Sequence, residues 1–162
     1  METLESTTEI PKYRATELLH EYGITPTQQR IEIANILFAR PQHVSAEQVL
    51  SQLNSEQQKA SKATIYNTLG LFARKGLIRE IIVDPTKVFY DSNTRPHYHF
   101  YNVDTGTLSD IDDGHMLVTN LPDTPEGTVA ESIDIIYRVR NADTRVDTRV
   151  DTSADTGTDT IK

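Results

Sequence analysis

The chain has 162 residues, a net charge of -8, 36% hydrophobic and 7% aromatic residues, and neither cysteine nor tryptophan. That length suits one domain or two small ones with modest cores, and the missing cysteine excludes disulfide frameworks, thiol nucleophiles and thiolate metal sites, so a metal would be held by nitrogen and oxygen alone. No apolar run approaches the length of a membrane span, and the opening METLESTTEIPKYR is acidic and polar where a signal peptide is basic and then apolar, which predicts a cytoplasmic protein with no membrane partner.

The charge is unevenly placed. Residues 1–10 carry three acids and no base, 11–80 nine Lys/Arg against six Asp/Glu, 81–140 four against ten, and 141–162 three against five. A locally basic first half is compatible with binding DNA, because phosphates respond to the nearby surface more than to the whole-chain sum. An ordinary mixed surface gives the same count.

Residues 1–11 are expected to be a flexible N-terminus. YRATELLHEYG then sets Leu18, Leu19 and Tyr22 on one side of a helix that Gly23 closes. In TPTQQRIEIANILFARP, Thr25 caps, Pro26 takes the first helical position, Gln28 completes a capping box and Pro41 stops the chain. Ile33, Ile36 and Leu37 face inward there, flanked by Ile31, Ala34 and Phe38. VSAEQVLSQL opens with a box from Ser45 to Gln48, and SKATIYNTLGLFARKG is capped by Ser61, turns Ile65, Leu69 and Phe72 inward and ends at Gly76.

A short helix, a turn and a second helix beginning with Lys62, Thr64, Tyr66 and Asn67 form a helix-turn-helix pattern. Those four side chains can reach phosphates and base edges from the first two turns of a recognition helix, and Arg30 of the TPTQQRIEIANILFARP helix is a further candidate contact. LIREIIVDPTKVFYD reads as two strands about a turn at Asp84-Pro85-Thr86-Lys87, a wing. A structural helical bundle with a hairpin fits the same pattern.

VFYDSNTRPHYHFY, residues 88–101, ends the wing with Asp91 and goes on to His97 and His99. In an extended chain, side chains two apart leave one face, so both imidazoles can converge on one metal ion; two surface histidines on an edge strand look the same. HYHFYNVDTGTLSDID reads as two strands around Asp104-Thr105-Gly106, GHMLVTNL as a short helix, and TVAESIDIIYRVR as a closing strand alternating Val129, Glu131, Ile133, Ile135, Tyr137 and Val139 against Ala130, Ser132, Asp134, Ile136, Arg138 and Arg140. Such a unit buries little alone, which favours association with a second copy. His20 is expected to be solvated and His115 to start the short helix. NADTRVDTRVDTSADTGTDTIK cannot bury enough apolar surface to offset the entropy of ordering, so a disordered tail is expected from 141 onward.

In their order, TPTQQRIEIANILFARPQHVSAEQVL, SKATIYNTLGLFARKGLIRE, KVFYDSNTRPHYHFY and the closing strand resemble the ferric uptake regulator family of bacterial metal-responsive transcription factors, the iron response regulators being the nearest branch. The resemblance implies an α+β fold with a winged helix-turn-helix domain over 12–91 and a small α/β dimerisation and metal-sensing domain over 92–140. It implies a homodimer on a palindromic double-stranded DNA operator, and no enzyme. In manganese- and peroxide-responsive members the regulatory ligands correspond here to His43, Asp91, His97, His99 and Asp110, at gaps of 48, 6, 2 and 11 residues that match the family's spacing.

Three imidazoles and two carboxylates suit divalent iron, manganese or zinc and disfavour copper(I). Haem is the alternative, since the iron response branch is associated with haem and histidine serves as an axial ligand. The chain also departs from the family. The first pair of the structural zinc's cysteines falls on Asn102 and Thr105, so no four-cysteine zinc is expected, and a second regulatory site would need ligands where Pro96 and Tyr98 stand. Asn67 replaces an Arg of many members, as in the iron response branch, and Thr25 replaces a basic residue.

By this correspondence His43 belongs to the DNA-binding module and the other four ligands to the hinge and dimer domain. One ion would then tie two bodies together, and its occupancy would change the angle between the recognition helices of a dimer, promoting or relieving DNA binding. Two rivals stand beside this reading. A non-haem iron enzyme could use two His and an Asp, although five protein ligands leave little room for substrate. A winged-helix regulator of a small organic ligand would make the histidines incidental.

Overall fold

The caps and apolar spacings along the first half become helices whose ends are made by neighbouring side chains. In the computed structural model, residues 12–55, 57, 59–112 and 118–142 are described. The expected flexible N-terminus, His115 and the expected tail from 143 lie outside them. Among the described residues the order is α1 (Lys12–Glu21), α2 (Gln28–Phe38), β1 (His43–Val44), α3 (Ala46–Leu53), α4 (Lys62–Arg74), β2 (Arg79–Asp84), β3 (Lys87–Asp91), β4 (His99–Asn102), β5 (Thr107–Asp110) and β6 (Ile136–Val139).

Gly23, at φ 64, closes α1: its N–H donates to the His20 carbonyl at 2.9 Å, and Ile24 N–H donates to Leu19 at 2.8 Å. Gly76, at φ 74, closes α4 in the same way, with Leu77 N–H donating to Phe72. Each turn throws the next apolar side chain back into the core, where Ile24 and Leu77 are both 2% exposed. Tyr22, expected on the buried side, is instead 37% exposed.

The cap of α2 is Thr27, not Thr25. Its hydroxyl accepts from Arg30 N–H at 3.4 Å, while the Thr25 carbonyl accepts from the Arg30 guanidinium at 2.8 Å. The third helical residue is then a cation that cannot accept a hydrogen bond, so the expected box does not close, and Gln28 pairs with Glu32 at 2.7 Å. The box in α3 is complete: Gln48 N–H donates to Ser45 Oγ at 3.2 Å, and Ser45 N–H to Gln48 Oε1 at 2.8 Å. Ser45→Ala should therefore lower stability by about 1 kcal/mol in urea unfolding; an unchanged midpoint would show that the cap is dispensable.

Leu19, Ile33, Ala34, Val49, Ile65, Leu69 and Phe72, all 0% exposed, form the centre of the helical core. The wing hairpin folds about Asp84, whose carboxylate accepts from Thr86 N–H at 2.8 Å and from its hydroxyl at 2.7 Å. β3 pairs antiparallel with β2 on one side and, on the other, with a strand the sequence did not suggest: β1 sets His43 opposite Asp91 and Val44 opposite Tyr90.

The second sheet has the order β5-β4-β6, antiparallel between β4 and β5 and parallel between β4 and β6. Its apolar face shares a core with the wing, where Ile81, Val83 and Phe89 meet Tyr101 and Leu108. Lys87 Nζ donates to Tyr101 OH at 3.0 Å, the Arg138 guanidinium donates to the Val83 carbonyl, and Arg79 pairs with Asp134. The closing strand is shorter than expected. β4 offers four residues for pairing, so only Ile136–Val139 form β6, and the alternating stretch before it has Val129 90% exposed. The expected short helix does not reach 118–121: Asn120 takes a left-handed backbone, φ 58, and Pro122 disfavours helical geometry at Leu121; 113–117 lie outside the described residues. Asn141, the first residue of the expected tail, donates its N–H to Asp104 at 2.9 Å.

Candidate metal centre and nucleic-acid face

Two cross-strand pairs and one connector residue build a single cluster. The first sheet sets His43 opposite Asp91, and the second sets His99 opposite Asp110. Side chains directly opposite in an antiparallel pair leave the same face, which directs each histidine and its carboxylate to one place. His97 precedes β4 and enters from the link between the sheets, its ring 4.4 Å from that of His99. One ligand atom from each of the five residues lies within 4.8 Å of all the others.

His43 Nε2 stands 3.3 Å from Asp91 Oδ2 and 2.9 Å from Asp110 Oδ1; for His97 Nε2 these distances are 3.0 and 3.1 Å, and for His99 Nε2 3.7 and 3.5 Å. The three imidazole nitrogens and Asp91 Oδ2 are buried, yet none makes a hydrogen bond. They aim at a shared point and not at one another. Buried polar atoms left unpaired are costly, and a cation bound between these four would satisfy them together. A set of three imidazole nitrogens and two carboxylate oxygens fits divalent iron, manganese or zinc.

Two further polar atoms of the cluster are tied down. His97 Nδ1 donates to the Arg95 carbonyl at 2.7 Å, which leaves Nε2 as the free nitrogen turned to the cluster. Asp91 Oδ1 accepts from Asn93 N–H at 2.7 Å, which leaves Oδ2 for the cluster. Burial raises the pKa of Asp91, but the His43 and His99 rings and the Asn93 N–H outweigh it and hold the carboxyl well below its usual range. Burial likewise opposes charge on His43, and the Asp91 and Asp110 carboxylates override it and raise its pKa. A cavity of about 610 Å³, lined by Gln42, His43, Asp91, Arg95 and Asp110 among others, opens onto the cluster on the side where Asp110 is 46% exposed.

The register corrects the assignment of ligands to bodies. Asp91 is hydrogen-bonded into the winged-helix sheet between β1 and β2, so that sheet supplies His43 and Asp91, while the link and the second sheet supply His97, His99 and Asp110. His20 is exposed, as expected of a solvated residue.

Elsewhere on the winged-helix unit, Lys62, Tyr66 and Asn67 are exposed along the first turns of α4, and Thr64 is half-buried with its hydroxyl 2.9 Å from that of Ser61. The turn before α4 is held by Asn54, whose side chain accepts from Lys59 N–H and Ala60 N–H and donates to the Ala60 carbonyl. Arg30 sits at the start of α2, partly buried on Thr25. Neighbouring Gln29 donates to the Lys59 carbonyl at 2.8 Å, so the starts of α2 and α4 lie side by side. Glu47, a residue that no sequence motif singles out, touches both Tyr66 and Lys62.

Residues 21–124 match the sequence profile of the Ferric uptake regulator family. A peroxide-responsive repressor, PerR, of Staphylococcus aureus is 32% identical over 93 residues, which are 57% of this chain and 63% of that protein. The chain thus spans just under two thirds of the length of the curated relatives it matches. The structure of the ferric uptake regulator from Pseudomonas aeruginosa with manganese superposes with a TM-score of 0.58 at 23% identity, over 80% of this chain and 98% of that one. The Vibrio cholerae ferric uptake regulator superposes with a TM-score of 0.60 at 19% identity, over 78% and 98%. At these identities the likeness is one of fold, and it is the α+β fold expected from the sequence.

Proposed function

The chain belongs to the ferric uptake regulator family, and from that premise we propose that it is a metal-responsive, dimeric DNA-binding transcriptional regulator, a repressor in the cytoplasm acting on genes of iron homeostasis or oxidative stress. The observation that carries this is the five-residue cluster, which draws ligands from both sheets and leaves four buried polar atoms unpaired. A divalent cation bound there supplies the positive charge that would satisfy two carboxylates and three imidazoles at once. His43 and Asp91 report its presence to the winged-helix sheet, and His97, His99 and Asp110 to the second sheet. The donors close too tightly around one point to admit a macrocycle, which favours a bare ion over haem. Among divalent ions the donor set supports iron or manganese, with zinc also suited.

Dimerisation is supported by the second sheet itself. β6 is an edge strand, and its Tyr137 is 57% exposed although its ring lies 5.4 Å from that of Phe100. Within the family, Asn67 supports a place beside the iron response regulators, whereas the five-donor set resembles that of peroxide-responsive members.

DNA binding is assigned to α4 and the start of α2, through Lys62, Thr64, Tyr66, Asn67 and Arg30. Binding to an operator selected from random sequence tests this. Tyr66→Ala should cost on the order of 1–3 kcal/mol of sequence discrimination. Lys62→Ala should weaken binding to all sequences alike and reduce the salt slope by about 1. If both variants give wild-type footprints, another surface contacts DNA.

A further inference from the structure

A residue outside the recognition helix decides what Tyr66 can offer a base. A phenol has one proton to donate and otherwise accepts through its oxygen. Glu47, in the first turn of α3, accepts that proton: Tyr66 OH lies 2.5 Å from Glu47 Oε1. The same carboxylate oxygen is 3.5 Å from Lys62 Nζ, which stands 5.5 Å from the centre of the Tyr66 ring. An ionised carboxylate has no hydrogen to give, so the direction of the bond is fixed. Ionisation agrees: the hydrogen bond with Glu47 raises the pKa of Tyr66, and the same bond with Tyr66 lowers that of Glu47. Tyr66 nevertheless remains 41% exposed next to Asn67.

We propose that Glu47 sets the hydrogen-bond polarity of Tyr66, so that its oxygen faces DNA as an acceptor and selects a base with an amino donor in the major groove. Adenine N6 and cytosine N4 are such donors, whereas guanine O6 and thymine O4 only accept. A tyrosine with a free hydroxyl rotor could donate to one class or accept from the other, and would discriminate poorly. The O–H···O⁻ bond to Glu47 is charge-assisted, and excluding water as DNA docks strengthens it. The proposal rests on α4 being the recognition helix.

The test is operator selection by the full chain from random double-stranded DNA, with Mn²⁺ and again after chelation, for wild type, Tyr66→Phe and Glu47→Gln. Glutamine keeps the shape of Glu47, but its amide N–H can donate to the phenol oxygen and release the phenol proton outward. The wild type should enrich adenine or cytosine at one half-site position where Tyr66→Phe loses about 3–10-fold of preference, the worth of one hydrogen bond. Glu47→Gln should admit guanine or thymine at that position by a similar factor and leave the other positions as they were. A wild-type preference for guanine or thymine there overturns the proposal, as does an unchanged preference in Glu47→Gln or the lack of any position sensitive to Tyr66→Phe. If the wild type enriches no operator at all, the DNA-binding assignment of α4 falls, and the proposal with it.

Discussion

His97→Ala combined with His99→Ala should abolish divalent-metal binding. The two imidazoles are 8% and 2% exposed and supply two of the five converging ligand atoms, each within 4 Å of both Asp91 and Asp110. What remains is His43 with two carboxylates, too few nitrogen donors to hold a transition ion tightly against water. Wild-type protein purified without a histidine tag should hold about one ion per chain, and Mn²⁺ at a hundred times its Kd should stabilise it by about 2.7 kcal/mol through mass action. The double variant should show no metal-dependent shift in melting temperature. Without metal it should be destabilised less than an ordinary core truncation of equal volume, because the lost Nε2 atoms are buried without hydrogen bonds. A metal-induced shift as large as the wild type's would remove the site.

Phe72→Ala should cost about 3–5 kcal/mol of unfolding free energy, since it empties the largest fully buried side chain of the helical core. Phe72 lies on α4, and its carbonyl accepts from Leu77 N–H where the chain leaves that helix for the wing. The loss therefore falls on both elements that would face DNA, and operator binding should disappear at temperatures where the wild type is folded. Denaturant unfolding followed by far-UV circular dichroism measures it; a cost under about 1 kcal/mol would mean that the core repacks around the cavity.

Elements with a long apolar period and a cap were legible in the sequence, and elements defined by a partner were not. Ser45 and Ser61 cap as read, and Ile65, Leu69 and Phe72 face inward as read, because those signals lie within a few residues of one another. Thr25 and Thr27 are both good caps two positions apart, and local pattern cannot choose between them. β1 has two residues and no period; it exists because β3 offers a free edge beside it. The reverse holds for 128–134, which alternates as a strand should and is paired with no strand among the described residues. The five cluster residues were named through the family resemblance, with only His97 and His99 suggested by their own spacing. The division of ligands between the sheets depends on the register of His43 with Asp91. The contact between Glu47 and Tyr66 joins residues 19 apart on two helices, which no spacing rule reveals.

The central claim is that the cluster couples metal occupancy to DNA binding through ligands fixed in two different sheets. His43→Ala keeps four of the five ligands but removes one of the two that the winged-helix sheet contributes. The most direct measurement is operator affinity with and without saturating Mn²⁺, for wild type and His43→Ala. Metal should change the affinity of the wild type by about 5–150-fold, the usual range for an allosteric coupling of 1–3 kcal/mol. In His43→Ala, Mn²⁺ should still bind and raise the melting temperature, while most of that change in operator affinity is lost. A variant whose operator affinity responds to Mn²⁺ as strongly as the wild type's would contradict the claim.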